Sequence, residues 1–414
     1  NEWIDYSKTY YKFEVEENGL YRIPYSTLEA QGLPLGTTNG YKIFHKGEEV
    51  PIYLSSDGAF QPGDYIELYA EKNDGTYDTQ LFTDPDWQVT DLKSLFTDVG
   101  SYYLVWDATT PGQRFETINN DITNVPPKEQ YFIHTEAKVI AEAFFDGEPD
   151  TRTLAGVNSY LSSFNKSEGF ISSLIIPDVL KEVDMDTKSV YSDPNQEASV
   201  ELKMIGRSNN LYIASGDHHV RLSVNGDEFI DDVYEGYDTK TYTFNTDLSQ
   251  LSTTTIIGIE SVGDVYSPEQ PNYVDKNSVG YVKITYPRTY DFGNDKFEKF
   301  KIFNDQVRYL EFENFGGGLF PVMYDLTHKK RIVPIDEDGI FKVRLTPQDG
   351  GAFQRELYVS NTTSPEAITS ISNLEPKQFT DFSNPAFAAD YLMLTHPRLF
   401  EYYDGENQVQ RYKA

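Results

Sequence analysis

Cysteine is absent from the 414 residues, and methionine is scarce, with four residues. Without cysteine, disulfides, thiolate metal sites and a cysteine nucleophile are excluded within this sequence. An extracellular eukaryotic protein of this size usually carries disulfides, so we expect a bacterial protein. Leucine-rich helical stretches are also few, which argues against a helical fold.

Long apolar runs are missing as well, because no stretch approaches the ~20 residues that a helix needs to span a bilayer. Basic residues number 35 against 66 acidic residues, which gives a formal net charge of −31. This charge repels phosphate backbones and anionic lipids, so no nucleic-acid partner is expected. A strongly acidic surface suits a secreted or surface protein instead. No signal peptide is visible, and the start at Asn1 has the character of a mature or trimmed N-terminus.

Aromatic residues are abundant, with 31 tyrosines and 26 phenylalanines, and 38% of all residues are apolar. Aromatic and β-branched side chains pack well on a pleated surface, so this composition predicts strands. A chain of this length exceeds a single hydrophobic core, so two to four domains are expected.

Short runs in which apolar and polar residues alternate predict an N-terminal β-rich domain over residues 1–123. In YYKFEVEENGLYRI, the Asn-Gly pair at 18–19 lies between two alternating runs and predicts a hairpin. The segment PYSTLEAQGLP predicts a short helix, capped by Ser26 or Thr27 and ended by Gly32. SYYLVWD predicts a further strand at a central position.

Residues 124–290 predict a jelly-roll-like β-sandwich that follows the proline-rich NVPPKEQ. Its second Asn-Gly pair, at 225–226, predicts another hairpin. The expected strands lie in YFIHTEAKVI, ASVELKMIGRS, LYIAS, HHVRLSVNGDEF, TYTFNTDLS, TTTIIGIES and SVGYVKITYPR. Residues 291–360 predict a small β-sandwich, and residues 361–388, rich in Ser, Thr, Pro and Asn, predict a linker or a wrapping segment.

Residues 389–414 look like the beginning of a different fold. The apolar run Tyr391–Leu394 predicts a buried strand, and Leu399, Tyr402 and Tyr403 have helical spacing after a turn. A strand, a turn and a helix form the first unit of an α/β domain. The expected fold class is therefore mainly β, with tandem β-sandwich-like domains followed by the first strand and helix of a truncated α/β domain.

Several patches resemble PorU-like proteins, which are gingipain-type peptidase relatives of the type IX secretion system of Bacteroidota. The opening YYKFEVEENGLYRIPYSTLEAQGLPLG resembles their N-terminal region, and GDYIELYAEKNDG and VGYVKITYPRTY agree in order. FPVMYDLT follows, with Asp325 and Thr327 at matching places. The patches cover essentially the whole chain. HTEAKVIAEAFFDGEPD departs from the pattern, because it lacks the tryptophan of the family's acidic patch, and this leaves any site in the middle domain in doubt.

The last patch, ADYLMLTHPRLF, resembles the start of the gingipain catalytic domain, with Asp390, Thr395, His396 and Pro397 matching. In the family, the cysteine nucleophile and the histidine base lie well beyond this point. The resemblance therefore implies that the chain stops just inside the catalytic domain and has no catalytic, cofactor-binding or metal residue of its own.

The resemblance also implies a function for the parent protein. Such a protein is a cell-surface, outer-membrane-associated cysteine peptidase of sortase type, exported through a signal peptide that this chain does not contain. It removes the C-terminal signal of secreted cargo, attaches the cargo to a surface glycolipid and works with an outer-membrane β-barrel shuttle. These residues would dock on that partner, present cargo or orient the catalytic domain. The parent is either an active enzyme or a pseudo-enzyme adaptor.

Histidines and carboxylates offer few alternatives to this interpretation. His218 and His219 are adjacent, and neighbours on a strand point to opposite faces, so they cannot share one metal ion; a solvated turn is favoured. His396 has a structural role in the same interpretation, because the family's catalytic histidine comes later. No motif supports the hypothesis that Glu136 and Glu148 form a glycosidase pair.

Two acidic stretches raise the question of calcium. They are Asp146, Glu148 and Asp150 in FDGEPD, and 336–338 in IDEDG. Calcium needs six to eight oxygens from a shaped loop, and neither stretch has EF-hand spacing. Acidic turns are therefore the favoured interpretation, and calcium binding stays open without a motif.

An alternative function is a cell-surface glycan-binding or adhesion protein made of β-sandwiches. Tyr234, Tyr237, Tyr266 and Tyr273 lie in Gly-, Asp- and Pro-rich loops, where binding residues concentrate and where a ring could stack on a sugar. Local packing is the competing interpretation, because tyrosine is common throughout the chain. The sequons at Asn165 and Asn361 carry no meaning without a glycosylating compartment.

Overall fold

The computed structural model describes residues 3–148, 151–154, 157–160, 163–213, 215–316, 320–348, 351, 353–363, 366–387, 402–403 and 406–407. Within these ranges the chain is mainly β, as the composition predicts, with a single α-helix, α1 (Tyr25–Ala30). Short 3-10 helices lie at Thr76–Leu81, Pro85–Trp87, Leu248–Gln250 and Pro385–Phe387. No helix in the described ranges is both long and apolar enough to cross a bilayer.

The strands fall into three groups along the chain. The first group is β1 (Tyr10–Val15), β2 (Gly19–Pro24), β3 (Tyr41–His45), β4 (Glu48–Val50), β5 (Tyr53–Leu54), β6 (Tyr65–Ala70), β7 (Gly100–Trp106) and β8 (Glu116–Ile118). The second is β9 (Phe132–Val139), β10 (Ala143–Phe145), β11 (Thr151–Leu154), β12 (Val157–Tyr160), β13 (Gly169–Ile171), β14 (Lys181–Asp186), β15 (Glu197–Gly206), β16 (His218–Val224), β17 (Asp227–Tyr234), β18 (Thr239–Asp247), β19 (Thr254–Ser261) and β20 (Asn277–Arg288). The third is β21 (Phe297–Phe303), β22 (Arg308–Phe312), β23 (Pro321–Asp325), β24 (Lys330–Ile332), β25 (Ile335–Glu337), β26 (Ile340–Leu345), β27 (Gln354–Asn361), β28 (Ile368–Ser370), β29 (Glu375–Lys377), β30 (Tyr402–Tyr403) and β31 (Glu406–Asn407).

The first module is a sandwich of two sheets, ordered β29-β1-β7-β3-β4 and β28-β2-β6-β5. β7, the SYYLVWD strand, is central in its sheet, as predicted. The core between the sheets is built mainly from alternating apolar positions: Phe13, Val15, Tyr21, Ile23, Leu28, Tyr41, Ile43, Ile66, Leu68, Tyr102 and Leu104.

The segment that follows β27 wraps back onto the first module. β28 pairs in parallel with β2, and β29 pairs antiparallel with β1, so each adds an edge strand to one sheet. Between them, Ile371 and Leu374 are buried in the first module's core. Of the two interpretations of residues 361–388, the structure therefore favours a wrapping segment, which completes a module begun more than 300 residues earlier.

The hairpin predicted at Asn18-Gly19 is wrong. β1 pairs with β7 and β2 pairs with β6, so the connection between them crosses from one sheet to the other. Neither Asn18 nor Gly19 has the positive φ that a tight Asn-Gly turn requires. The local alternation of apolar and polar residues predicted both strands correctly. Which strands pair is determined by β7 and β6, which lie further along the chain.

Helix α1 forms where the sequence predicts it, but the predicted cap is wrong. Pro24 occupies the N-cap without a side-chain hydrogen bond, and the Thr27 hydroxyl donates instead to Ile371 O at 3.0 Å in the interior. The C-terminus ends as expected at Gly32, whose φ is 67°. The N–H groups of Gly32 and Leu33 donate to carbonyls of the last turn, which is the Schellman arrangement.

The second module packs the sheet β14-β19-β16-β17 against β18-β15-β20-β9. The predicted Asn225-Gly226 hairpin is confirmed, because β16 pairs with β17 and the two turn residues have φ values of 49° and 91°. The strand predicted at LYIAS is wrong. Leu211 and Tyr212 lie in a loop and are 85% and 65% exposed, so their apolar character does not mark a buried strand.

The third module comprises the sheet β21-β27-β23-β24-β8 and the smaller sheet β22-β26-β25. The larger sheet shares one β-ladder pair with the second module, Ile133 with Lys301, between β9 and β21. This bridge makes the two sheets formally continuous over nine strands. The boundaries at 123, 290, 360 and 388 stay predictions.

Most of the C-terminal stretch, including Tyr391–Leu394 and His396, lies outside the described residues. β30 and β31 form a two-stranded ladder at its described positions. The helix predicted through Tyr402 and Tyr403 is therefore not what the structure shows at those two residues.

Candidate functional site

A shared apolar cluster joins the first and third modules. Leu20, Tyr69 and Phe115 from the first module pack against Val322 and Tyr358 from the third, together with other buried rings. Such a cluster, excluded from water, stabilises the two modules in one relative position.

A buried polar network reinforces that joint. Glu67 is fully buried, and its Oε2 accepts from Arg22 Nε at 2.6 Å, while its Oε1 accepts a short hydrogen bond from the Tyr324 hydroxyl. Arg331 Nε donates to the Tyr324 hydroxyl at 3.1 Å. Burial raises the pKa of Tyr324 well above its usual value, so the phenol stays a donor. The network crosses from β2 and β6 to β23 and β24.

The long β6–β7 loop fixes the first module to the second. The buried Lys203 ammonium on β15 donates to the carbonyls of Asp86 and Gln88 at 2.8 and 2.7 Å. Burial lowers the pKa of Lys203, an effect that the charges of the nearby aspartates oppose. Val89 packs so closely on Gly280 that a Cβ there would lie 2.3 Å from its Cγ1.

A cleft of about 580 Å³ opens where the three modules meet. It is lined by Tyr69 from the first module, His134 from β9, Arg288 from the end of β20, and Phe297 and Lys299 from β21. This volume lies within the usual range of ligand sites, and a junction between domains is a common place for one. The cleft is therefore the candidate functional site.

An ion pair forms the floor of the cleft. Arg288 is 1% exposed, and its Nη1 donates to Glu298 Oε2 at 2.9 Å, while Nη2 lies 3.4 Å from Asp295. Burial raises the pKa of Glu298, an effect that the neighbouring Arg288 charge opposes. His134 lies 3.7 Å from Glu136 and 3.8 Å from Glu298.

Lysines that form ion pairs with carboxylates lie at the rim of the cleft. Lys188 Nζ is 2.8 Å from Asp295, and Lys299 Nζ is 2.6 Å from Glu71. Lys296 pairs closely with Glu366. The cleft is therefore zwitterionic, and each cation among its described lining residues lies beside a carboxylate.

A second polar cluster lies inside the second module around His218, which is fully buried. Its Nδ1 is 2.5 Å from Asp275, and its Nε2 is 2.8 Å from Gly236 O and 3.0 Å from Ser208 O. Each ring nitrogen therefore faces an acceptor, which requires both to carry a proton. Burial alone would lower the pKa of His218, but the Asp275 hydrogen bond and the nearby carboxylates outweigh it and raise the pKa.

His219 points to the opposite face, as the alternation of a strand predicts. Its ring nitrogens lie 2.7 Å from Asp264 and 2.6 Å from Asp231. These carboxylates raise the pKa of His219 against the opposing effect of burial. The two histidines lie on opposite faces of β16, as predicted, but His218 is a buried core residue and not part of a solvated turn.

The loop tyrosines divide between the interior and the surface. Tyr234 is 7% exposed and its hydroxyl donates to Asn277, while the Tyr273 hydroxyl is 2.9 Å from Asp217. Tyr266 is 67% exposed. Tyr237 is half-buried, so the four do not form one exposed platform.

The acidic stretch at 336–338 runs from the end of β25 into the tight turn between β25 and β26. Asp338 and Gly339 have positive φ, and the Gly339 N–H donates to Asp336 at 2.9 Å. Glu337 pairs with Lys342. Across the described ranges no group of three or more histidines, aspartates or glutamates is arranged to hold a metal ion.

The FDGEPD stretch is only partly described, because Asp150 lies outside those residues. Asp146 O accepts from the Asn165 side chain at 2.7 Å, and Glu148 bridges to Lys166. Glu136 lies in the interdomain cleft instead. Glu136 and Glu148 thus have separate surroundings.

The two residues singled out in FPVMYDLT have structural contacts. Asp325 is fully buried and pairs closely with Arg355, and it also accepts the His328 N–H at 2.9 Å. Thr327 Oγ1 accepts the Glu356 N–H at 2.9 Å. The sequon at Asn361 is 2% exposed, so that side chain is inaccessible to modification in the folded chain.

The cleft and joint residues that sequence reasoning missed share one signal. Three charged residues lie within or at the end of strands that are rich in apolar residues: Glu67 in DYIELYA, Lys203 in VELKMIG and Arg288 in YVKITYPR. A charge at such a position must find a partner or a cavity, because an unpaired buried charge is costly. That pattern could have directed attention to the interfaces between modules.

No family model matches the chain. No curated protein matches it either. Among solved structures, dimeric latent PorU from Porphyromonas gingivalis is similar in fold, with a TM-score of 0.56, 10% sequence identity, and coverage of 89% of this chain and 33% of that chain. At this identity the likeness shows a PorU-like fold alone, and the chain spans about a third of that structure's length.

Other solved structures are much less similar. BuGH86 in complex with neoagarooctaose has a TM-score of 0.17 at 13% identity, covering 68% of this chain and 33% of that chain. The ANX1 ectodomain from Arabidopsis thaliana has a TM-score of 0.18 at 8% identity, covering 69% of this chain and 80% of that chain. Scores this low carry no argument about function.

Proposed function

We propose that these residues form the docking and scaffold region of a type IX secretion component. The observation that carries the proposal is the fold shared with latent PorU over 89% of the chain, at a TM-score of 0.56. The ordered sequence patches, from the aromatic first strand to DYLMLTHP, support the same assignment independently of the fold.

The way the modules are joined supports a scaffold role. Glu67 and Lys203 anchor two different joints, and both are buried, so the three modules are held as one body. A rigid body keeps distant surfaces in a fixed geometry, which is what a protein needs to position a partner or a neighbouring domain. The absence of cysteine means that a thiol-dependent step would require residues outside this chain.

In this proposal the parent protein is exported and acts at the cell surface. It removes the C-terminal signal of secreted cargo and attaches the cargo, as a sortase-type cysteine peptidase, or it serves as an adaptor without that activity. The chain described here binds the outer-membrane β-barrel shuttle of the system and presents cargo or orients the catalytic domain.

Site-specific crosslinking tests the docking role. Since the chain contains no cysteine, a single introduced cysteine carries a photo-crosslinker at one known place. Thr135→Cys lies on the exposed side of β9 at the cleft, and Thr243→Cys, on the exposed outer edge of β18, is the matched control. The chain is mixed with the purified outer-membrane β-barrel component, and products are identified by mass spectrometry.

The proposal expects a crosslink between the barrel and Thr135→Cys, with wild-type chain competing for it, and little crosslinking from the Thr243→Cys control. If saturating barrel protein gives no crosslink from either position and no measurable binding, docking on this partner is wrong. Binding of glycans that is lost in Tyr266→Ala would then favour the adhesion alternative.

A further inference from the structure

The strands β9 and β21 meet at one point and then separate. Their only pair in the described ladders is Ile133 with Lys301. A continued ladder would place Lys299 opposite Thr135, but no such pair forms among the described residues. The cleft at the module junction lies on this side of the bridge, because His134, Lys299 and their neighbours line it.

The free edge of β9 can be assigned from its other partner. The Ile140 N–H donates to Gly280 O at 2.9 Å, which extends the antiparallel ladder between β9 and β20. In such a ladder, residues bonded to one neighbour alternate with residues whose N–H and C=O point the other way. Even-numbered residues of β9 therefore bond β20, and the odd-numbered Thr135, Ala137 and Val139 direct their backbone groups into the split.

The same argument applies to β21. The Asn304 N–H donates to Phe353 O at 2.9 Å, which continues the ladder between β21 and β27. Even-numbered residues of β21 therefore bond β27, and Phe297 and Lys299 direct their backbone groups towards β9. The single bridge at Lys301 fits this assignment, since it too is odd-numbered.

Among the described residues, two strand edges thus face an open split instead of each other. Thr135 and Ala137 are exposed, and Phe297 is 47% exposed. An unpaired edge is a template for an added strand.

The charges around the split select the incoming segment. Glu136 lies beside His134 and Asp186 beside Lys188, and these two carboxylates keep 34% and 56% of their side chains exposed. The chain as a whole carries −31. An acidic segment would be repelled, and a lysine or arginine opposite Glu136 would form a favourable cross-strand pair.

We propose that the split binds an extended, neutral-to-basic segment of a partner polypeptide, which adds as a strand to the free edge of β9. Main-chain hydrogen bonds supply the affinity, and Glu136 supplies the preference for a basic residue. The inference deepens the proposed docking role and rests on it for the identity of the partner, but strand addition itself is testable without that partner.

The probe is a blocked peptide of alternating threonine and valine with a central lysine, compared with a twin that has glutamate in its place. Hydrogen exchange of the 414-residue chain is followed by mass spectrometry at saturating peptide. The lysine peptide is expected to slow exchange over β9 by about tenfold or more, as new ladder bonds form. The glutamate twin is expected to give little protection.

Proline variants supply the matched controls. Ala137→Pro removes an N–H that points into the split and leaves the ladder with β20 intact, so it is expected to weaken peptide binding by about tenfold or more. The Gly206 N–H donates to Asp238 O at 3.0 Å, so by the same alternation Thr243 faces the outer edge of β18. Thr243→Pro is therefore expected to leave peptide binding unchanged.

A further variant keeps the test informative if Ala137→Pro does not fold. Glu136→Gln is expected to retain the peptide site but to lose most of the preference for lysine over glutamate. Protection confined to β17 or β18, or an affinity that neither variant changes, overturns strand addition at the split.

The same variants separate this inference from the docking proposal. Suppose that Ala137→Pro binds the barrel component as the wild type does, and that the peptide does not slow hydrogen exchange in the wild type. Docking would then remain supported, and strand addition would be wrong. If the peptide slows hydrogen exchange on β9 but the chain does not bind the barrel component, strand addition would be supported and docking on the barrel would be wrong.

Discussion

Raising the pH above neutrality is expected to destabilise the second module through His218. Both ring nitrogens of His218 face acceptors, Asp275 on one side and the Gly236 and Ser208 carbonyls on the other. Deprotonation would leave one nitrogen lone pair directed at an acceptor inside the core. Asp217, 3.8 Å away, adds to the cost of losing the positive charge.

The sign and size of the effect follow from proton binding. The pKa of His218 is raised above its ordinary value of about 6.5 in the folded chain. Its stabilising contribution is therefore complete below pH 6.5 and is lost as the pH rises through the folded-state pKa. Between the two pKa values the folded state holds one more proton, so the free energy of unfolding falls by about 1.4 kcal/mol per pH unit.

The measurement is chemical denaturation between pH 6 and pH 9 for the wild type and for His218→Gln. The variant leaves Asp275 buried without a charged partner, so we expect it to be about 3–5 kcal/mol less stable at pH 6. The difference between the two proteins is expected to shrink as the pH rises. A difference that stays constant across this range would refute the buried imidazolium.

His45 provides an internal control with the opposite sign. Its ring stacks on Tyr102, and burial lowers the pKa of His45. The unfolded state therefore binds the proton more readily, so the His45 contribution improves as the pH rises from the lowered folded-state pKa towards 6.5 and is constant above pH 6.5. His45→Gln should change the pH profile in the direction opposite to His218→Gln.

Three further changes test the joints and the core. Tyr324→Phe removes the hydroxyl donor of buried Glu67 and is expected to cost about 1–3 kcal/mol in denaturation experiments, and a cost below about 0.5 kcal/mol would show that this joint contributes little. Gly206→Ala places a Cβ 1.9 Å from the Gly236 carbonyl oxygen, so we expect a loss of about 3 kcal/mol or more in the same assay, and wild-type stability would contradict that close approach. Lys203→Met leaves two loop carbonyls without their donor and is expected to speed proteolysis of the β6–β7 loop, whereas an unchanged cleavage rate would argue that other contacts hold the loop.

The sequence predicted strands well where the evidence is local. Asn225-Gly226 joins strands that pair with each other, so the turn signal and the fold agree. Asn18-Gly19 carries the same signal, but β1 and β2 each find partners far along the chain. A tight-turn motif reports a local preference, and long-range packing overrides it where a sandwich needs its chain to cross between sheets.

The candidate site could not be located from sequence because its parts come from three modules. Lys188, Arg288 and Lys299 reach one cleft only after the modules assemble, and no spacing along the chain relates them. The wrapping segment posed the same problem, since its contact from Ile371 to Thr27 spans 344 residues. The sequence does contain a charged residue in each of the strands that form the joints and the cleft. Such a residue indicates that a buried partner exists, but it does not identify the partner.

We propose that the chain docks on the outer-membrane β-barrel component of a type IX secretion system. The most direct test is the equilibrium affinity of the purified 414-residue chain for the purified barrel, measured by biolayer interferometry in detergent with an unrelated barrel as control. The account predicts saturable binding to the secretion barrel and none to the control. Equal binding to both barrels, or no binding at high concentration, would contradict it.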